Sequence, residues 1–283
     1  MKLVRFGEVG QEKPGLIDDD GNLRDISSFV SDITPEFLAG DLFDQLKDAS
    51  ATTFPAVEGT PPMAVPVSHV GKFVCVGLNY ADHAREAGLP VPEEPILFMK
   101  ATSAVQGAND VVKLPIGHSK ADWEVELGII IGKPAKNVAV GESHHHIAGL
   151  CVINDLSERA FQMERGGQWV KGKSCDTFGP VGPWLVTMDE IGDPHDLDIW
   201  LELNGERVQN SNTDQMIFKI EELVSYISQF MSLQPGDIIS TGTPPGVAAG
   251  METPRWLQNG DEMRLGIEKL GVQHQRVEEE SGA

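Results

Sequence analysis

Asp-Trp-Glu-Val-Glu-Leu-Gly-Ile-Ile-Ile-Gly, residues 122–132, sets two carboxylates one residue apart at the start of an apolar run. Side chains alternate faces along a strand, so Glu124 and Glu126 point the same way while Val125, Leu127, Ile129 and Ile131 point into a core. At a rise of roughly 3.3 Å per residue the two carboxylates stand about 7 Å apart, and each raises the other's pKa unless a positive charge lies between them. A hard divalent cation meets that need with oxygen ligands. A solvated acidic face is the plainer reading of Glu-x-Glu, and a third ligand is what separates the two.

Working outward, Gly149-Leu-Cys-Val-Ile-Asn-Asp155 is an apolar strand that ends in a carboxylate. With Glu124 and Glu126, Asp155 completes three oxygen donors, leaving the other octahedral positions of Mg²⁺ or Mn²⁺ to water and substrate. No paired cysteines or closely spaced histidines join them, which disfavours zinc. By itself Asp155 reads equally as the N-cap of a helix over the following Leu156–Glu164. On that helix Arg159 and Gln162 fall on the face of Asp155, where a cation and an amide suit a carboxylate or a developing oxyanion.

Asn79 to Gly88 reads as a short helix capped by Asn79 and stopped by Gly88. His83 and Glu86, three apart, share a face, so the carboxylate can orient the imidazole as a general base; a surface ion pair is the plainer alternative. Lys171-Gly-Lys-Ser174 lacks the strand and glycine spacing of a phosphate loop, and Lys173 in a tight turn suits the neutralisation of an enolate. His144-His145-His146 has neither helical nor alternating spacing and reads as a loop leading into a strand. The aspartates from Asp18 to Asp20 read as a hairpin turn, because Phe29 stands where a calcium loop needs its glutamate.

The rest of the chain frames these residues. Residues 1–65 predict a small N-terminal α/β domain, with strands at Lys2–Phe6 and Gly15–Ile17 and helices over Thr34–Ala39 and Asp41–Lys47. A proline-rich linker, Thr60–Pro66, leads into a catalytic domain over residues 66–283, where short strands and turn signals prevail. Its clearest helix spans Ile217–Met231, and the last six residues read as frayed. The fold class is α+β and β-rich.

Lys and Arg number 22 against 43 Asp and Glu, a net charge of −21, which argues against nucleic acid and membrane partners. Three cysteines without metal spacing, no apolar leader and no run of about 18 apolar residues predict a reduced, cytoplasmic protein.

Five stretches together resemble the fumarylacetoacetate hydrolase family: Val76 to Glu86, Asp122 to Gly132, Asn154 to Gln162, Gly172 to Pro183 and Ile239 to Gly246. The resemblance implies a mixed β-roll or β-sandwich catalytic domain, a small N-terminal domain and a homodimer. It implies Mg²⁺ or Mn²⁺ on Glu124, Glu126 and Asp155, a catalytic His83–Glu86 dyad on a lid helix, and an active-site Lys173. Arg159, Gln162, Thr177 and Thr243 match substrate-side positions. The expected reaction is hydrolysis of the C3–C4 bond of a 2,4-diketo acid to pyruvate and a carboxylic acid. The N-terminal segment is most similar to a bacterial branch acting on 2,4-diketo-3-deoxy sugar acids, often labelled ureidoglycolate lyase. Alternatives that use the same enolate chemistry are oxaloacetate decarboxylation and isomerisation or decarboxylation of a 2-oxo-heptenedioate. A non-catalytic keto-acid binding protein is the alternative of another class. In each case the partner is a small anionic keto acid.

Overall fold

A computed structural model describes residues 1–280. Two sheets organise them. The larger has nine strands in the order Leu23–Asp25, Lys13–Ile17, Lys2–Phe6, Gly179–Val186, Ile147–Asn154, Val125–Ile131, Ile238–Ser240, Phe73–Gly77 and Ile96–Lys100, with two short strands attached to its side. The smaller runs Glu206–Asn212, Asp198–Leu203, Glu262–Ile267, Gly271–Glu279 and Val112–Leu114.

The large sheet is covered on both faces. Leu127, Ile129, Leu150 and Val152 pack into one core with Leu201 and Leu265 of the small sheet and Leu223 and Ile227 of the helix Ile220–Phe230. Ile130, Cys151 and Ile153 pack into a second core with Leu3, Ile26, Phe37 and Phe43. Every residue of Val125–Ile131 is therefore buried, and the face carrying Glu126 is interior rather than solvated. All three cysteines are free.

The N-terminal segment does not stand apart. Lys2 and Leu3 pair with Val186 and Leu185, so the expected small unit extends the main sheet and shares its second core. The two longest strands that escaped the sequence reading are Glu206–Asn212 and Gly271–Glu279. The second turns Gln273 and Gln275 inward, and both are fully buried. Gln273 Nε2 donates to Val152 O at 2.8 Å, and Gln275 Nε2 donates to Ala108 O at 2.7 Å. Buried amides with satisfied hydrogen bonds erase the apolar alternation by which a strand is recognised. Glu278 and Glu279, read as frayed, belong to this strand, and residues 281–283 lie outside the described residues.

Among the described residues no helix is long and apolar enough to cross a membrane.

Candidate active site

Antiparallel register builds the centre. Val125 pairs with Asn154, which sets Glu124 beside Asp155, and Asp155 N donates to Glu124 O at 2.9 Å. Carboxylate oxygens of Glu124, Glu126 and Asp155 lie within 4.8 Å of one another, and all three residues are buried. Such a set of hard oxygen donors fits Mg²⁺ or Mn²⁺.

Cations surround two of the three carboxylates. Lys173 Nζ donates to Glu124 Oε2 at 2.6 Å and to Asp155 Oδ2 at 2.8 Å. Arg159 Nη2 donates to Glu124 Oε1 at 2.6 Å, and Lys100 Nζ bonds Asp155 on its other oxygen. Burial alone would raise the Glu124 carboxyl, but Lys173 and Arg159 outweigh it and hold it well below the usual range. Lys173 responds in mirror image: burial works against its charge, yet Asp155 and Glu124 keep it firmly protonated.

Glu126 differs. It accepts only from Ser240 Oγ at 2.5 Å and Gly242 N at 2.8 Å, and no basic side chain pairs with it among the described residues. Burial, then Asp155 and Glu124, push its carboxyl well above the ordinary value. A buried carboxylate left without a cation, beside two others, is the observation that most favours a metal ion here.

Local structure explains why these groups meet. The helix expected to follow Asp155 begins only at Arg159, because Ser157 and Glu158 first pair with Asp122 and Ala121. Its N-cap is Glu158, which accepts from Ala160 N at 3.0 Å, so Asp155 remains free for the centre. Lys173 ends the short helix Val170–Lys173 rather than lying in a turn. That helix sits hard against its neighbour: a Cβ on Gly172 would lie 2.2 Å from Glu158 O, so only glycine permits the approach.

His83 and Glu86 lie on the helix Ala81–Glu86, where His83 Nδ1 meets Glu86 Oε2 at 3.0 Å. A carboxylate only accepts, so Nδ1 donates the hydrogen of that bond and Nε2 is the ring nitrogen left for another partner. Gly246 N donates to Glu86 Oε1 at 3.0 Å, which ties the helix to the loop opposite. Asn79 is not the helix cap expected. Its side chain donates to Thr241 O at 2.7 Å and Phe218 O at 3.1 Å and accepts from Phe218 N, clamping the base of the helix instead.

A cavity of about 160 Å³ unites His83, Glu124, Glu126, Arg159, Gln162, Lys173 and Thr243. Asp155 lies just behind its wall, held by both lysines. Thr243 lines the cavity, but its hydroxyl already donates to Val125 O at 3.0 Å and accepts from Gln209 Nε2 at 2.9 Å. Thr177 is not among the residues lining it, and its hydroxyl accepts from Lys113 N at 2.8 Å. His144, His145 and His146 lie on a 3₁₀ turn, Val140–His146, away from this cavity. Lys100 escaped the sequence reading, although a lysine closing the apolar strand Ile-Leu-Phe-Met mirrors Asp155 closing its own.

Three buried carboxylates that could hold a divalent cation, two lysines and a histidine held by a glutamate thus form one cluster of ionisable side chains. Residues 72–278 match the family model described as the fumarylacetoacetate hydrolase C-terminal domain, and the chain belongs to that family. A Burkholderia multivorans protein named "Putative hydrolase" is 53% identical over 276 residues, 97% of this chain and 98% of that protein. Among solved structures, 5-carboxymethyl-2-hydroxymuconate delta-isomerase from Mycobacterium smegmatis superposes with a TM-score of 0.80 at 31% identity, covering all of both chains. Maleylpyruvate hydrolase from Sphingobium sp. SYK-6, in complex with manganese and pyruvate, gives a TM-score of 0.83 at 28% identity, covering 99% of this chain and 100% of that one.

Proposed function

We propose that the protein hydrolyses the C3–C4 bond of a 2,4-diketo acid, giving pyruvate and a carboxylic acid. The observation that carries this reading is a histidine–glutamate pair opening on the same cavity as a metal-capable carboxylate triad. Mg²⁺ or Mn²⁺ held by Glu124, Glu126 and Asp155 would supply Lewis acidity and a template for the keto acid.

His83, oriented by Glu86, takes a proton from water at Nε2. The hydroxide adds to the C4 carbonyl carbon. The C3–C4 bond then breaks, its electron pair stays on C3 as the enolate of pyruvate, and C4 departs as the carboxylic acid. The Lys173 ammonium spreads the enolate charge until C3 is protonated. Arg159 and Gln162, joined by a 3.2 Å hydrogen bond, border the ligand from the helix Arg159–Met163.

Support for a second reading comes from the likeness to an isomerase, since isomerisation or decarboxylation uses the same enolate without attack by water. Metal-free protein incubated with acylpyruvates and oxaloacetate, with and without Mn²⁺, separates the two. Metal-dependent pyruvate plus a carboxylic acid, lost in His83→Ala, establishes the hydrolase. Pyruvate plus CO₂ from oxaloacetate alone, retained in His83→Ala and with no acylpyruvate cleaved, refutes it. Keto-acid binding without turnover, unchanged in Glu124→Ala, would leave a binding protein.

A further inference from the structure

Part of the cavity lining carries no charge: Leu78, Leu89, Phe98 and Trp169, together with Val76 and Gly77. Phe98 and Trp169 meet edge to face, ring centroids 5.3 Å apart, and the Lys173 ammonium stands 4.9 Å from the Phe98 ring. The apolar corner therefore begins where the charged centre ends. Trp169 is seated against the strand end, since a Cβ on Gly77 would lie 3.1 Å from its ring. Leu78 adopts φ 52°, a left-handed conformation uncommon for a bulky side chain and concentrated at ligand sites. Leu89 lines the same cavity and is 53% exposed.

Each basic side chain that lines the cavity already has an acceptor. Arg159 is held by Asp122, Glu124 and Gln162, Lys173 by Glu124 and Asp155, and His83 by Glu86. A second carboxylate on the far end of a substrate would enter the aromatic corner without a counter-charge, which is costly. The chain's net charge of −21 adds to the penalty. Polyhydroxylated tails fare little better, because that part of the lining offers side chains with no hydrogen-bonding group other than the indole N–H.

We infer that the substrate is a monocarboxylate whose tail beyond C4 is apolar or aromatic, an acyl- or aroylpyruvate, rather than a dicarboxylate or a sugar acid; this rests on the diketo-acid reading above. Leu78, Leu89, Phe98 and Trp169 set the preference.

The test compares pentanoylpyruvate with succinylpyruvate, close in size and differing in a terminal carboxylate, on Mn²⁺-loaded enzyme. The expected kcat/KM favours pentanoylpyruvate by at least about tenfold. Trp169→Ala reduces that ratio, and Leu89→Arg, at an exposed position, shifts it towards succinylpyruvate. Equal or better turnover of succinylpyruvate overturns the inference while the hydrolase reading stands. Calorimetric binding of 2-oxo-4-phenylbutanoate against 2-oxoadipate provides an arm that needs no turnover. If no diketo acid is cleaved but the phenyl ligand binds at least about tenfold tighter, the tail preference stands and the hydrolase reading falls. Tighter 2-oxoadipate, or no binding of either, overturns the tail preference.

Discussion

Asp122 accepts a hydrogen bond from Arg159 Nε at 2.8 Å, and the same guanidinium reaches Glu124 Oε1 at 2.6 Å. Asp122 also accepts from Ala248 N at 2.7 Å and Ala249 N at 3.1 Å. Those residues follow Gly246, whose N–H holds Glu86. One chain of polar contacts thus runs from the dyad, through the loop, to a carboxylate of the metal-capable triad.

Asp122→Asn should therefore weaken a site it does not line. An amide supplies one acceptor where the buried carboxylate serves Arg159 and the backbone N–H groups of Trp123, Ala248 and Ala249, so the guanidinium and the loop both lose their anchor. The expected loss in kcat or in Mn²⁺ affinity is about 10- to 100-fold, the range for groups that orient ligands. Steady-state kinetics and metal titration check it; unchanged values would mean that Arg159 holds its place without Asp122.

Glu126→Gln separates folding from metal binding. Glutamine can still accept from Ser240 Oγ and Gly242 N while removing a buried charge that has no cation partner. Metal-free variant should melt at or above the wild-type temperature, and the rise in Tm on adding Mn²⁺ should vanish. A Tm shift of wild-type size in the variant would remove Glu126 from the ligand set.

Proton linkage gives the pH dependence. Burial, with Asp155 and Glu124, raises the Glu126 carboxyl in the folded protein above its unfolded value. Between those two values the folded state binds the extra proton, so this group's contribution to metal-free stability is present at low pH and is lost as pH rises. Metal needs the carboxylate, so Mn²⁺ affinity should increase over the same window with release of a proton. Melting curves at pH 5 and pH 8, with and without Mn²⁺, should show the metal-induced shift growing with pH, and Glu126→Gln should flatten the metal-free trend.

His83→Ala should lower kcat by about 10²- to 10⁴-fold, the usual worth of a positioned base. Mn²⁺ affinity should stay near wild type, because His83 is outside the carboxylate triad. Glu86→Gln should act through His83, reducing kcat less and moving the pH-rate profile. Loss of metal binding in His83→Ala would reassign it as a ligand.

Gly172→Ala tests the seat of Lys173. A methyl 2.2 Å from Glu158 O and 2.5 Å from Gln162 N forces the two short helices apart. Overpacking of this kind costs about 1–3 kcal/mol, and the displaced ammonium should lower activity by more than the loss of folded protein explains. Circular dichroism melts and kinetics on the folded fraction measure the two effects.

Much of this site was legible in the chain. Period-two spacing put Glu124 and Glu126 on one face, and the strand Val125–Ile131 and the helix Pro35–Ala39 after Thr34 fell where pattern and capping placed them. His83 and Glu86 met as their helical spacing required. Less visible were Lys100, Asp122 and the aromatic corner of Phe98 and Trp169, whose partners are distant in sequence. Asn79 misled because a good capping residue is equally good at bridging two backbone segments, and here Thr241 and Phe218 claimed it.

Local sequence determined which residues share a face, because helical and strand periodicities are properties of the backbone alone. Tertiary structure decided which faces meet. Antiparallel register brought Asp155 to Glu124, the close approach at Gly172 delivered Lys173, and burial on both sides of the sheet left Glu126 without a cation. Register, helix packing and desolvation are sums over contacts between segments far apart in the chain, and no single segment carries them.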